Sequence, residues 1–209
     1  DCETLPEEYL LSFPPEEVVH HLRLRSGLKE KQAIAEPSDH TLFWSVLIMA
    51  HDSTGLLAKI CGTLALHGLN VVSAQIFTWE DGTAVDVLNV RPAAEQTYAE
   101  QDWLALGEDL NLALKNRLGL SHRLVDKFRT AFRTPGKKNV QAAPRVVIDN
   151  KASEQYTIIE VFANDRPGLL YDITRTLADF ELNIHRARIG SDGDQVVDVF
   201  YTLDSFATK

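Results

Sequence analysis

Apolar and polar residues follow the same pattern in two stretches of the chain that lie 113 residues apart. Residues 46–76 and 159–189 share 13 identities in 31 aligned positions. In each copy an apolar run predicts a strand, and apolar residues at helical spacing predict a helix after it. A second strand, a turn and an alternating third strand, at 85–88 and 197–200, complete the copy. The chain therefore contains one β-α-β-β unit used twice, which we call the first and second repeats.

Each repeat has a short turn between its first strand and its helix. In the first repeat the turn is Asp52-Ser53-Thr54-Gly55, the first loop; in the second it is Asp165-Arg166-Pro167-Gly168, the second loop. A glycine at the last position suits a backbone that needs positive φ or that a ligand approaches closely. The first loop lacks the rigid proline of the second, so we expect it to bind a ligand more weakly or differently.

The remaining segments predict further helices and one more strand. Proline and acidic residues at 14–17 start a helix that ends at Gly27, after an irregular lead-in at 1–13. Residues 28–40 have the composition of a linker. After the first repeat we expect helices at about 102–118 and 121–133 and a strand at 144–149. That strand would complete a β-α-β-β-α-β unit, the ferredoxin-like arrangement.

The elements together predict an α+β fold of two tandem ferredoxin-like domains, the second lacking its last helix and strand. We expect an N-terminal helix and linker to an upstream region at 1–40, the first domain at 41–150 and the incomplete second domain at 151–209. The second domain would then leave an open sheet edge, which invites association. A symmetric homodimer is one way to cover that edge.

Composition narrows the class of protein. The chain has 209 residues and a formal net charge of −9, which argues against a general nucleic-acid surface because phosphate binding needs a basic face. We find no apolar run long enough for a membrane helix and no signal-peptide pattern. Two cysteines suggest neither a disulfide framework nor a metal site. We therefore expect a cytoplasmic protein, and because it opens at Asp1 rather than Met we expect a piece of a longer chain.

Several motifs of the second repeat are more specific. They are Asn-Lys-Ala-Ser at 150–153, Tyr-Thr-Ile-Ile-Glu-Val at 156–161, Asn-Asp-Arg-Pro-Gly-Leu-Leu-Tyr-Asp-Ile at 164–173 and Val-Asp-Val-Phe-Tyr at 197–201. Together they resemble the C-terminal region of the bifunctional protein-PII uridylyltransferase/uridylyl-removing enzymes, which carries tandem ACT domains. The resemblance extends over nearly the whole chain, including the lead-in around Leu5-Pro6 and Val19-His20-His21.

The resemblance implies a regulatory role. ACT domains commonly bind amino acids, and in this family the ACT pair is expected to sense glutamine or another small amino acid in nitrogen regulation. The family's uridylyl transfer to and from protein PII implies upstream catalytic domains, UTP and a divalent metal. We expect no cofactor within this stretch itself, and neither a nucleic acid nor a membrane as partner.

The candidate ligand-binding residues lie in the two loops and at the start of the strand after each helix. The turn before a helix offers backbone N–H groups to a carboxylate, while an aspartate or asparagine side chain suits an ammonium or amide group. The candidates are Asp52, Ser53, Thr54, Gly55, Leu56, Asn70, Asp165, Arg166, Pro167, Gly168, Leu169 and Asn183. Capping and turn geometry alone also account for such residues.

We assign no catalytic and no metal-binding residue. His51-Asp52 resembles a metal-binding pair, but no helix-borne His and Asp set accompanies it. The Gly-Ser and Asp pattern at 190–194 resembles a nucleotidyltransferase motif, but it falls on the hairpin turn of the second repeat. The alternative to a sensor is a module that binds no ligand and only dimerises or docks on a partner.

Overall fold

The structure, a computed structural model, describes residues 5–92, 97–131, 143–192 and 195–209. These ranges contain six helices and nine strands. The helices are α1 (Glu7–Ser12), α2 (Pro15–Gly27), α3 (Leu56–Leu66), α4 (Glu100–Leu114), α5 (Leu120–Ala131) and α6 (Leu169–Asp179). The strands are β1 (Ala33–Asp39), β2 (Trp44–His51), β3 (Leu69–Thr78), β4 (Thr83–Pro92), β5 (Arg145–Asp149), β6 (Thr157–Asn164), β7 (Asn183–Ile189), β8 (Ser191–Asp192) and β9 (Gln195–Leu203).

All nine strands of the described ranges lie in one antiparallel sheet. Their order is β1-β2-β4-β3-β7-β9-β6-β5, and β8 pairs with β9. The two repeats meet where β3 pairs with β7, and there Gln75 lies opposite Arg188. The repeat offset relates these same two residues, so the repeats are arranged about a local two-fold axis at this pair. The predicted α+β fold with an antiparallel sheet is confirmed.

Helices cover both faces of the sheet in the first repeat. On one face α3 packs against α4, α5 and α6, above a core that includes Ile48 and Leu88. On the other face α1 and α2 bring Tyr9 and Val18 onto the buried side chains of β2, β3 and β4. Tyr9 is fully buried, and its ring lies 5.5 Å from that of Phe77 between centroids. Burying so large an aromatic ring fixes α1 to the sheet.

Two segments differ from what the sequence pattern predicts. The lead-in at 1–13 is not wholly irregular, because residues 7–12 form α1 around Tyr9. Residues 28–40 are not a simple linker, because Ala33–Asp39 form β1 and pair with β2 over seven positions. Pro37 lies within β1, and an edge strand tolerates proline because one side of its backbone has no partner strand to bond. Because β1 contains polar residues and a proline, the pattern of apolar residues does not predict this strand.

The strand predicted at 144–149 is present, but it belongs to the second repeat and not to the first. Arg145–Asp149 form β5, which pairs with β6 of the second repeat instead of completing the first. Each repeat is thus preceded by its edge strand, β1 before β2 and β5 before β6. The described residues after β9 form no further helix or strand, and β5 occupies the place beside β6 that a last strand would take.

The helix predictions are closer. The helix ending at Gly27 is confirmed as α2, and the helices at about 102–118 and 121–133 correspond to α4 and α5. Residues 132–133 of the second of these lie outside the described residues, as do 193–194 of the hairpin turn. In the described parts of the chain, no helix is both long enough and apolar enough to cross a membrane.

Candidate functional site

The first loop ends on a left-handed glycine at the start of α3. Gly55 has a φ of +82°, which only glycine adopts without strain. The Leu56 N–H donates to the Ser53 carbonyl at 2.9 Å, and the Asp52 N–H donates to the Gly82 carbonyl at 2.8 Å. The second bond holds the loop against the β3–β4 turn. The N–H groups that follow Leu56 in the first turn of α3 have no carbonyl partner within the helix, and together with the helix dipole they suit an anion.

Two predicted residues from different repeats meet beside this loop. Asn183 is the first residue of β7, and its side-chain amide donates to the Asp52 carboxylate at 3.1 Å. The local two-fold arrangement explains the contact, since it brings the start of β7 next to the end of β2. Both side chains are partly buried. The pair forms a polar bridge between the repeats.

A small cavity extends beneath this bridge. Its volume is about 20 Å³, enough for a water-sized group or two but not for a whole amino acid. Predicted residues that line it are Asp52, Ser53, Gly55, Leu56 and Asn183. Other residues that line it include Leu57, Ala58, Ile76, Thr78, Ala84, Asp86, Thr174 and Ala178. Thr54 of the same loop is exposed.

Asp86, which the sequence analysis did not select, lies in the wall of the small cavity. Only 1% of its surface is exposed, and among the described residues nothing hydrogen-bonds its Oδ1. Burial, and then the negative charge of Asp52, raise the pKa of Asp86 well above its usual range. The sequence held a signal for it, because an aspartate at an inward position of the alternating strand β4 stands out among apolar neighbours.

Two larger spaces adjoin the small cavity. Gly55, Ala58 and Ala178 also line a cavity of about 300 Å³ between α3, α6 and the start of α5. Asp52 and Thr78 also line an open groove of about 1000 Å³ on the other side. Residues of the first loop thus line both the small cavity, which has polar and apolar walls, and spaces large enough for a small molecule.

The second loop has different surroundings. Asp165, Arg166 and Pro167 are exposed, and Arg166 forms an ion pair with Asp172 at 2.6 Å. Gly168 has a φ of +78°, like Gly55, but the Phe128 ring of α5 lies against it. A Cβ placed on this glycine would meet Phe128 Cε2 at 2.5 Å.

The remaining predicted residues also lie apart from the small cavity. Leu169 is half-buried at the start of α6, and Asn70 is exposed on β3. Lys127 of α5 donates to the carbonyl of Leu66, the last residue of α3, at 2.6 Å. Helix α5 therefore packs over the C-terminal end of α3.

Asp198 is the counterpart of Asp86 in the second repeat. It is 2% exposed, and the Gly190 N–H donates to its Oδ1 at 3.4 Å. Burial raises the pKa of Asp198 to about 7. The hydrogen bond from Gly190 acts to lower this pKa, and the negative charge of Asp165 acts to raise it. Both repeats therefore place a buried carboxyl near the aspartate of their loop.

Comparisons with known proteins agree with the duplicated architecture. Residues 44–95 and 157–208 each match the family model of the ACT domain. A solved aspartate kinase from Synechocystis superposes with a TM-score of 0.37 at 16% identity, over 80% of this chain and 25% of that one. So weak a structural likeness does not inform the function.

Three curated relatives are each named bifunctional uridylyltransferase/uridylyl-removing enzyme. The chain is 34% identical to the one from Rhodospirillum rubrum and 36% identical to the one from Azospirillum brasilense, each over 207 residues. Both alignments cover 96% of this chain and 22% of the relative. The Cereibacter sphaeroides protein is 37% identical over 158 residues, covering 76% of this chain and 17% of that one. The chain thus spans about a fifth of the length of these relatives.

Proposed function

Because the chain belongs to the ACT domain family and carries two copies of the domain, we propose that it senses a small amino acid, glutamine, and regulates attached catalytic domains. Its similarity to uridylyltransferase/uridylyl-removing enzymes supports a place in that enzyme. The catalytic part of the proposal, transfer of uridylyl groups from UTP to protein PII and their removal with a divalent metal, concerns domains outside this chain. A cytoplasmic location belongs to the same proposal.

The observation that carries the proposal is the hydrogen bond between Asn183 and Asp52. It joins the predicted polar residues of two repeats at the mouth of a cavity, beside the N-terminus of α3. An amino acid has an ammonium group for the Asp52 carboxylate and a carboxylate for the helix N–H groups. Oδ1 of Asp86, buried in the cavity wall without a hydrogen-bond partner among the described residues, independently supports a site for a polar ligand group there.

The position between the repeats also supplies a route to regulation. A ligand bound there contacts the first loop and the start of β7 at once, so its affinity depends on how the two repeats are placed. A ligand shifts a conformational equilibrium only by its difference in affinity for the two states. Glutamine at this site would favour one relative placement of the repeats, and attached domains would respond to that placement.

Isothermal titration calorimetry of the chain with glutamine and with glutamate tests the sensor. We expect saturable binding that prefers glutamine and that Asp52→Ala abolishes. The matched control is Asp165→Ala, at the same position of the second loop, which should retain binding. Loss of binding in Asp165→Ala alone would move the site to the second loop. Flat titrations of the unaltered chain at millimolar glutamine would contradict the proposal.

A ligand-free dimerisation module is the second candidate, and β5 favours it. This strand lies at one end of the sheet, and Val146 and Ile148 are 58% and 64% exposed. An exposed apolar edge strand can pair with its counterpart in another molecule. Light scattering of the chain and of Val146→Lys tests this function. A dimer that the lysine disrupts, together with flat titrations, would replace the sensor by the dimerisation module.

A further inference from the structure

The proposed function gives partners to the main-chain ammonium and carboxylate of a bound amino acid. It gives no role to the Asp86 carboxyl in the wall of the small cavity. This carboxyl is almost wholly buried, its Oδ1 has no hydrogen-bond partner among the described residues, and it lines the small cavity. A buried polar group without a partner destabilises the folded state. Such a cost is usually found where a ligand or an ordered water completes the hydrogen bonding.

The size and the lining of the cavity limit which chemical group can hydrogen-bond to Asp86. Apolar groups from Ile76, Ala84 and Leu57 form part of its wall, and its volume of about 20 Å³ admits only the end of a side chain. Burial and the neighbouring Asp52 carboxylate favour the neutral acid form of Asp86 by raising its pKa. A neutral carboxylic acid donates one hydrogen bond and accepts others. A primary carboxamide is its complement, because its NH₂ donates and its C=O accepts.

We propose that Asp86 is a specificity-determining residue that binds the side-chain carboxamide of the amino acid. This inference rests on the proposed function. The ligand's ammonium lies with Asp52 and Asn183, and its main-chain carboxylate lies at the N-terminus of α3. The side chain then points into the small cavity, where its amide makes a cyclic pair of hydrogen bonds with the Asp86 carboxyl. No buried charge is created by this pairing.

The same arrangement discriminates against glutamate. A side-chain carboxylate in the cavity would bring a negative charge next to Asp52 and would offer Asp86 acceptors only. Like charges in a site of low dielectric repel strongly. A site built to hydrogen-bond one polar group rejects an analogue that leaves its own groups unpaired, by large factors. The glutamine to glutamate affinity ratio is therefore the property that Asp86 sets.

The test compares this affinity ratio in the chain and in three variants by calorimetry. Asp86→Asn is nearly isosteric and offers an NH₂ donor to a carboxylate, so we expect the ratio to fall at least tenfold, chiefly through tighter glutamate binding. Asp86→Leu removes both hydrogen bonds, so we expect glutamine affinity to fall at least tenfold. The matched control is Asp198→Asn, which alters the equivalent carboxyl of the second repeat and should leave the ratio within twofold.

The outcomes separate this inference from the function on which it rests. If the unaltered chain binds glutamine but Asp86→Asn leaves the ratio within twofold, the role of Asp86 is overturned and the sensor stands. If the unaltered chain binds neither amino acid, both are overturned. Should Asp86→Leu fail to fold, the near-isosteric asparagine variant decides by itself. A fall in the ratio in Asp198→Asn as large as that in Asp86→Asn would also overturn the assignment.

Discussion

Asp86 and Asp198 occupy the same position in the two repeats, and each carboxyl is buried near the loop aspartate of its own repeat. Their hydrogen bonding differs. The Gly190 N–H donates to Asp198, whereas the described residues supply no partner for Oδ1 of Asp86. At this duplicated position, one buried carboxyl accepts a backbone hydrogen bond, and the other has an oxygen, Oδ1, that accepts none from the described residues. Two predictions on stability depend on that difference.

Asp198 makes the stability of the chain depend on pH. Its pKa rises from the usual 3.8 to about 7 on folding, so the folded state holds a proton that the unfolded state has already lost. This contribution to stability is complete below about pH 4 and is lost as the pH rises towards 7, by roughly 4 kcal/mol at most. In urea unfolding, the free energy of unfolding should fall less between pH 4.5 and pH 7.5 in Asp198→Asn than in the unaltered chain. An equal fall in both proteins would contradict a raised pKa of Asp198.

Replacing Asp86 by leucine should stabilise the chain in the absence of ligand. The change removes a buried carboxyl whose Oδ1 has no hydrogen-bond partner among the described residues and substitutes a side chain of similar size among apolar neighbours. We expect the free energy of unfolding at pH 7 to rise by about 1–3 kcal/mol in urea titrations. The matched control, Asp198→Leu, also discards the Gly190 hydrogen bond and should gain less. A loss of stability in Asp86→Leu would argue that an ordered water already satisfies the carboxyl.

The two loop glycines should differ in their tolerance of a side chain. Both have positive φ, so an alanine at either costs about 1–2 kcal/mol in backbone strain. At Gly55 the added Cβ meets Ala178 at an ordinary 3.5 Å, whereas at Gly168 it meets the Phe128 ring at 2.5 Å. Thermal unfolding should therefore show the larger loss in Gly168→Ala, and adding Phe128→Leu should recover part of it. Equal losses at both glycines would place the Phe128 ring elsewhere.

The anchor of α1 on the sheet should depend on the Tyr9 hydroxyl as well as its ring. The hydroxyl lies 2.6 Å from His21 Nδ1 in a buried pair, and burial, then the charge of His20, lower the pKa of His21. Tyr9→Phe leaves that nitrogen unpaired and should cost about 1–2 kcal/mol, while Tyr9→Ala should cost about 3–5 kcal/mol. Chemical denaturation measures both changes. A Tyr9→Phe protein as stable as the unaltered chain would show that His21 is satisfied otherwise.

The sequence alone determined the repeat, the type of most of its elements and the loop glycines. Helical or alternating spacing of apolar residues is a local property, because it reflects which face of one element is buried. That is why α3, α6 and the paired strands were predicted in both repeats. The positive φ at Gly55 and Gly168 agrees with the expectation, because a left-handed backbone at the end of a turn favours glycine over residues with a Cβ.

Only the tertiary structure decided how the elements of the two repeats meet. Strand periodicity cannot say that β5 pairs with β6, nor that Asn183 of the second repeat lies beside Asp52 of the first. Nor can it show that Oδ1 of Asp86 is buried without a hydrogen-bond partner among the described residues. The contact of Asn183 with Asp52 depends on the pairing of β3 with β7. Such contacts join residues far apart in the chain, and their geometry is set by the whole core.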